Sequence, residues 1–484
     1  MQLSLKDVRI GLRNSTVRIP FRYGNTCLTS CPQAALFATL EIDGRVAAGF
    51  SGDCLPPGWF DKSPSKDFKT QISDMLRSVE HAVAVFMEAL CQTRSFFPGW
   101  KLAYRVQQQW GVAEGLPQLL ATFGLSLVER AIMDGMARSS QLSFNQAVHQ
   151  NIYGIQGGDV FPELRGLHPA DWLPAEPKRS IYARHTVGLG DPLTVAEIDD
   201  EERLHDGSPQ ALEEYVQQTG TAYFKIKVAN DLERDVHRLE TIAAVVEKHR
   251  GPDYQVTLDG NEQYKDPAEF DCLVDAISRS TKLAQLWENV LVVEQPLARA
   301  IALDSSCTGG IRALSESKPV IIDESDGELE DYSKAIDCGY RGVSVKSCKG
   351  PVKALLNNGL TVRLNRKYAD TRYVMTAEDL CCVGIIPMQA DLCLAATLGL
   401  GHAERNGHHF HPGLQYLPGE RQEAALKIHS DLYTRNGDRV VPWLKDGAFS
   451  ISSLQCVGFG FAVTPQWEDY TGAPDWNYDS LGFE

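Results

Sequence analysis

Six side chains of this 484-residue sequence have the types and spacing that metal-assisted acid–base chemistry needs. Lys225 and Lys227 lie two apart in YFKIKV (223–228), so strand alternation sends both ammonium groups out of one face. Asp259 closes YQVTLD, Glu294 closes VLVVE, Asp323 closes PVIID, and Lys346 sits in GVSVK. The three acids are spaced 35 and 29 residues apart, about one βα unit each. Taken singly they have plainer explanations: an acid at a strand end caps the next helix, and paired lysines are common on solvated strands. Three acids on consecutive strands, flanked on both sides by lysine-bearing strands, point instead to a bound cation. Oxygen ligands without His or Cys favour Mg2+. A carboxylate substrate held there could lose its α-proton to one lysine, whose pKa desolvation and a nearby dication would bring toward neutrality. Lysines on opposite faces could return the proton to either side, which allows racemisation.

The elements that must position these groups follow a strand–helix alternation. Candidate strands begin at Ile181, Tyr223, Tyr254, Val290, Pro319, Gly342, Thr361 (TVRLN) and Val383 (VGIIPMQ), and most are continuous apolar runs suited to a parallel sheet covered on both faces. Helical intervals such as DLERDVHRLETIAAVVEKH separate them. Eight such units of roughly 30 residues predict an α/β modified TIM (β/α) barrel. The alternative, an open doubly wound sheet, lacks a G-x-G-x-x-G after any strand. Ahead of the barrel, LKDVRIGLRNSTVRI and AALFATLEIDGRVAAGF read as strands, the latter a hairpin through Asp43-Gly44, and RYGNTCLTSCPQ between them reads as a loop. Apolar stripes then predict helices over 74–91 and 117–137. The proline-rich stretch 161–180 reads as a connection. The chain therefore divides into an α+β capping domain (1–178), a barrel (179–425) and a C-terminal segment (426–484) that packs back on the cap.

Composition narrows the function classes. A net charge of −16 argues against nucleic acid and anionic membranes as partners. The 12 cysteines show no paired CxxC spacing, and the adjoining Cys381 and Cys382 read as buried or incidental thiols in a reducing, cytoplasmic setting. The start carries no signal-peptide core, and no apolar run approaches membrane-spanning length. His402, His408, His409 and His411 crowd with Glu404 into a polar stretch that matches no zinc spacing and reads as a loop near the barrel mouth.

Taken in order, KIKV, LDGN, VVEQP, IIDES and VSVKSCKG resemble the enolase superfamily, specifically its muconate-lactonizing-enzyme subgroup (the mandelate racemase/muconate lactonizing enzyme family). RIPFRYG and LSLVERAIMDGMARSSQLSFNQAV resemble parts of that family's capping domain. The resemblance implies Asp259, Glu294 and Asp323 as ligands of one Mg2+, Lys227 and Lys346 as the acid/base pair, Lys225 as electrostatic helper, and Asn261 and Glu324 as neighbours of the site. It implies a small-molecule carboxylate substrate, an enediolate intermediate and a homo-oligomer. Racemisation or epimerisation is the expected outcome. Acid-sugar dehydration, lactonizing cycloisomerisation and a non-catalytic metal-binding homologue are the alternatives. Where the family's dipeptide epimerases carry Asp-x-Asp, this chain reads PMQADLCLAA, and Asp391 is either a remnant of that motif beside the substrate or, the favoured reading, the cap of the next helix. Substrate choice is assigned to residues 25–31 and the seventh and eighth strand ends.

Overall fold

The computed structural model describes residues 1–23 and 26–482. Asn25, at the head of the expected specificity segment, lies outside the described residues. The chain opens with three antiparallel strands, β1 (Leu3–Tyr23), β2 (Thr26–Ile42) and β3 (Arg45–Cys54). The β2–β3 turn is the expected two-residue hairpin, with Asp43 and Gly44 both at positive φ (48° and 80°) between the paired Ile42 and Arg45. The described residues of RYGNTCLTSCPQ, 22–23 and 26–33, are strand rather than loop: Phe21, Arg22 and Tyr23 pair with Leu28, Cys27 and Thr26. Its polar residues misled because hydroxyls here are buried and bonded; Ser30 donates to the Ser15 carbonyl and Ser15 to that of Cys31.

Helices α1 (Phe68–Thr93), α2 (Phe96–Ala113) and α3 (Gln118–Ser139) form a layer against this sheet. The stripes at 74–91 and 117–137 mark α1 and α3; α2 went unread. Short 3-10 turns occupy 162–164 and 169–171, as the prolines suggest.

Eight parallel strands follow: β4 (Ser180–Val187), β5 (Tyr223–Lys227), β6 (Gln255–Asp259), β7 (Val290–Glu294), β8 (Val320–Ile322), β9 (Gly342–Val345), β10 (Val374–Ala377) and β11 (His402–Glu404). β11 pairs with β4 and closes the barrel. The fold is thus a TIM-type barrel with a capping domain.

The first six barrel strands are those read from the sequence, but the last two are not. TVRLN belongs to the helix Pro351–Lys367 and IPMQADLCLAAT to the helix Ile386–Thr397. Both helices are buried on nearly every face, so neither sequence shows the polar stripe that identifies a helix. The true strands are four and three residues long, and β11 is spelled His-Ala-Glu, without an apolar run. Asp391 accordingly sits inside the second of these helices, not at its cap. The histidine stretch is no simple loop either, since it comprises β11 and the helical turn Gly407–Phe410.

In the tail, Ala448–Ser450 pairs antiparallel with Ser180–Tyr182 of β4, and Thr471–Gly472 lies beside β1. No helix among the described residues is long and apolar enough to cross a membrane.

Candidate active site

Parallel strands place the side chains at their C-terminal ends on one rim. Register brings Lys227 beside Asp259 and Asp259 beside Glu294, while Asp323 and Lys346 directly follow β8 and β9. Lys225, Lys227, Asp323 and Lys346 line a cavity of about 550 Å³, whose cap side is formed by Phe21, Arg22, Tyr23, Pro56 and Trp59. Lys346 Nζ lies 5.0 Å from the centre of the Trp59 ring.

Lys225 is the hub. Its buried Nζ meets Glu294 Oε1 at 2.6 Å, Glu404 Oε2 at 2.8 Å, and Glu378 Oε2 and Asp259 Oδ2 at 3.0 Å. Lys227 Nζ donates to Asp259 Oδ2 at 2.5 Å. Opposite, Lys346 Nζ bridges Asp323 Oδ1 at 2.7 Å and Glu378 Oε2 at 2.5 Å. Lys349 adds a 2.8 Å bond to Asp323 Oδ1, and Ser344 donates to the same oxygen. Arg184 holds Glu378 Oε1 at 2.7 Å, and Thr186 holds Glu404 Oε1 at 2.5 Å.

The expected Asn261–Glu324 pair is joined, Nδ2 to Oε1 at 2.7 Å, and Asn261 also lines the cavity. Asp391 stands behind the site, accepting from the Ser347 amide at 3.2 Å and from Arg405 at 3.3 Å.

Two acids were missed by the sequence reading. Glu378 follows β10 and Glu404 ends β11, the two strands misassigned. The signal available was the recurring pattern itself, since Asp or Glu terminates β6, β7 and the β8 run, and YVMTAED and HAER repeat it.

Charge sets the protonation states. Burial alone would discharge Lys346, but Asp323 and Glu378 outweigh it and hold its pKa well above the ordinary lysine value. Lys227 is raised in the same sense, burial being overcome by Asp259. The shift toward neutrality expected from desolvation is therefore reversed by the carboxylates. Burial would raise Asp323 and Glu378, yet the lysines keep both below the usual carboxylate range. Glu294 goes the other way, pushed well up by burial and then by Glu378.

Single oxygens of Glu294, Asp323 and Glu378 lie within 4.8 Å of one another. The second oxygen of Glu294 is buried without a hydrogen-bond partner. An all-oxygen set with an orphaned acceptor fits a hard divalent cation. Asp259 stands at the edge of this set, with Oδ2 bound by two lysines and Oδ1 by the Asn261 amide.

No protein-family model and no curated protein matches the chain in sequence. Solved structures match it in fold. A dipeptide epimerase from Enterococcus faecalis V583, complexed with Mg and L-Leu-L-Tyr, aligns over 95% of this chain and 99% of its own at 14% identity and a TM-score of 0.56. An enolase from Bradyrhizobium complexed with magnesium and mandelic acid covers 96% of each chain at 15% identity and a TM-score of 0.55. A mandelate racemase/muconate lactonizing protein from Herpetosiphon aurantiacus covers 96% of this chain and 99% of its own at 15% identity and a TM-score of 0.56. The barrel and cap of this chain thus have the fold of enolase-superfamily enzymes.

Proposed function

We propose that the protein abstracts the proton α to a substrate carboxylate and returns it, acting as a racemase or epimerase. The observation that carries this reading is the placement of Lys227 and Lys346. Lys227 ends the second and Lys346 follows the sixth of eight barrel strands, so they stand on opposite sides of one cavity. A carbon held between them presents one face to each ammonium group. For turnover in one direction, one lysine enters as the free amine and takes the α-proton, while the other enters protonated and delivers to the opposite face. In the reverse direction the roles exchange.

The charge count supports a metal requirement. Asp259, Glu294, Asp323, Glu378 and Glu404 face Lys225, Lys227, Lys346, Lys349 and Arg184, so with Glu294 ionised, the form a cation ligand takes, the rim is balanced while every lysine is charged. A neutral lysine base and an incoming carboxylate would leave two surplus negative charges. A divalent cation held by Glu294, Asp323 and Glu378, Mg2+ by the chemistry of the donors, would offset them and favour the charge that builds on the substrate carboxylate. Lys225, bonded to four carboxylates, fixes their orientation. Phe21, Tyr23 and Trp59 cover the mouth and restrict water.

The test is α-proton exchange in D2O with Mg2+ present, across carboxylic acids, dipeptides and N-acyl amino acids, followed by NMR. Deuterium should enter the α-position of a substrate with the wild type. Lys227→Ala and Lys346→Ala should each lose about 10²–10⁴-fold in exchange from the face they serve. Full exchange in both variants, or none from any acid with the wild type, would overturn the assignment.

A further inference from the structure

A second constellation lies behind the mouth, at the seam between cap and barrel. Asp53 and Cys54 end β3 of the cap, and Cys382 comes from the segment after β10. The Cys382 thiol donates to Asp53 Oδ1 at 3.2 Å. The Cys54 thiol lies beside that of Cys382, and Cys31 on the neighbouring β2 is buried nearby. Ligand atoms of Asp53, Cys54 and Cys382 all lie within 4.8 Å of one another, and each of these residues is 2% exposed.

Buried free cysteines usually serve as small apolar side chains in a core. This group departs from that pattern, because two thiols and a carboxylate oxygen gather within 4.8 Å of one another, with the Cys382 thiol bonded to the carboxylate and the Cys54 thiol to a backbone carbonyl. Asp53 Oδ2 is anchored by Arg130 Nη2 at 2.7 Å, which aims Oδ1 at the thiols. Such a carboxylate–thiol set is complementary to a borderline or soft cation and unsuited to Mg2+.

We infer that Asp53, Cys54 and Cys382 form a binding site for a divalent cation of the zinc class, distinct from the oxygen-lined set at the barrel rim. The ion takes the place of the thiol protons: two S–H bonds give way to two metal–thiolate bonds, and two protons pass to solvent. Cys31 stands next to Cys54 as a further donor. The Leu380 carbonyl accepts from Cys54 at 2.7 Å, and Leu380 and Cys381 line the substrate cavity, which provides an entry path. Two ligands belong to the cap and one to the barrel, so an ion here ties them together beside the mouth.

The probe is Co2+ titrated into reduced, chelator-treated full-length protein. One equivalent should give a near-ultraviolet thiolate-to-cobalt absorption, persist in excess Mg2+, and be displaced by Zn2+. Cys54→Ser and Cys382→Ser should abolish it, while Cys272→Ser, exposed elsewhere, should keep it. Should the two serine variants fail to fold, X-ray absorption of Zn2+-loaded wild type decides, with sulfur expected at ~2.3 Å. No absorption at one equivalent, absorption retained in both folded variants, an all-oxygen zinc shell, or isolation of a Cys54–Cys382 disulfide that takes up no metal would each overturn the site.

Discussion

At the residue scale, Glu378 carries more of the site than its place in the chain suggests. It accepts from Lys225, Lys346 and Arg184, and these cations outweigh burial to hold its carboxyl well below the usual range. Glu378→Gln would keep the shape but strand three buried cations with one charge fewer. Breaking buried ion pairs in this way costs about 3–5 kcal/mol, so urea denaturation of the variant should show a clearly lower midpoint. With Glu378 neutral, Lys346 loses one of the carboxylates that raise its pKa, and the basic limb of a pH–rate profile should move to lower pH. The six residues from which the chemistry was first read were legible because each lies in or directly after a strand that the sequence reading found, β5 to β9. Glu378 and Glu404 were not, because the last two strands were placed in TVRLN and VGIIPMQ, and β11 carries no apolar run.

At the element scale, legibility tracked how one-sided each segment's surroundings are. α1 has one wet face, and the stripe at 74–91 falls within Phe68–Thr93. The helices 351–367 and 386–397 have none, so periodicity vanished and TVRLN and VGIIPMQ passed for strands. The cap depends on contacts of a kind that no pattern of apolar residues reveals. β3 crosses α3 so closely that a Cβ built on Gly49 would lie 2.1 Å from the Ala131 carbonyl oxygen and 2.8 Å from the Gly135 amide. Both neighbours are backbone, so neither can rotate away. Gly49→Ala should therefore force β3 and α3 apart and lower stability by about 1–3 kcal/mol, measurable by thermal or urea unfolding. The open turn makes the contrast: at Gly44 nothing lies within 4 Å, so any cost of Gly44→Ala comes from its φ of +80° and not from packing.

At the scale of the whole molecule, buried histidines set the response to acid. Burial depresses His185, His402 and His408 to about 3, and His411 and His429 to about 4, against about 6.5 in an unfolded chain. Below pH 6.5 the unfolded state binds protons on these rings that the folded state refuses, so stability falls as pH falls. Acids raised by burial act in the opposite sense, Glu294 and Asp134 among them. Burial raises Glu129, Glu324 and Asp379 to about 7, so the folded state holds their protons through pH 5–6 and gains from them there. Near pH 5.5 the rings and the raised acids oppose each other, so stability changes only shallowly with pH there. Under pH 4.5 the acids protonate in both states and their offset ends, while Asp323 and Glu378, depressed by their lysines, begin to lose stability as well. The denaturation midpoint should accordingly decline gently from pH 6.5 to 5 and steeply below 4.5. His408 isolates one histidine in this balance, since both its ring nitrogens are buried without partners and its ring meets Phe449 and Tyr215 edge-on at 5.4 and 5.9 Å. His408→Phe keeps those ring contacts and removes the titration. It should leave stability at pH 7.5 little changed and make the acid slope shallower by one proton, about 1.4 kcal/mol per pH unit, in urea unfolding followed from pH 7.5 to 4. A slope equal to the wild type's would mean that the ring takes up its proton without unfolding.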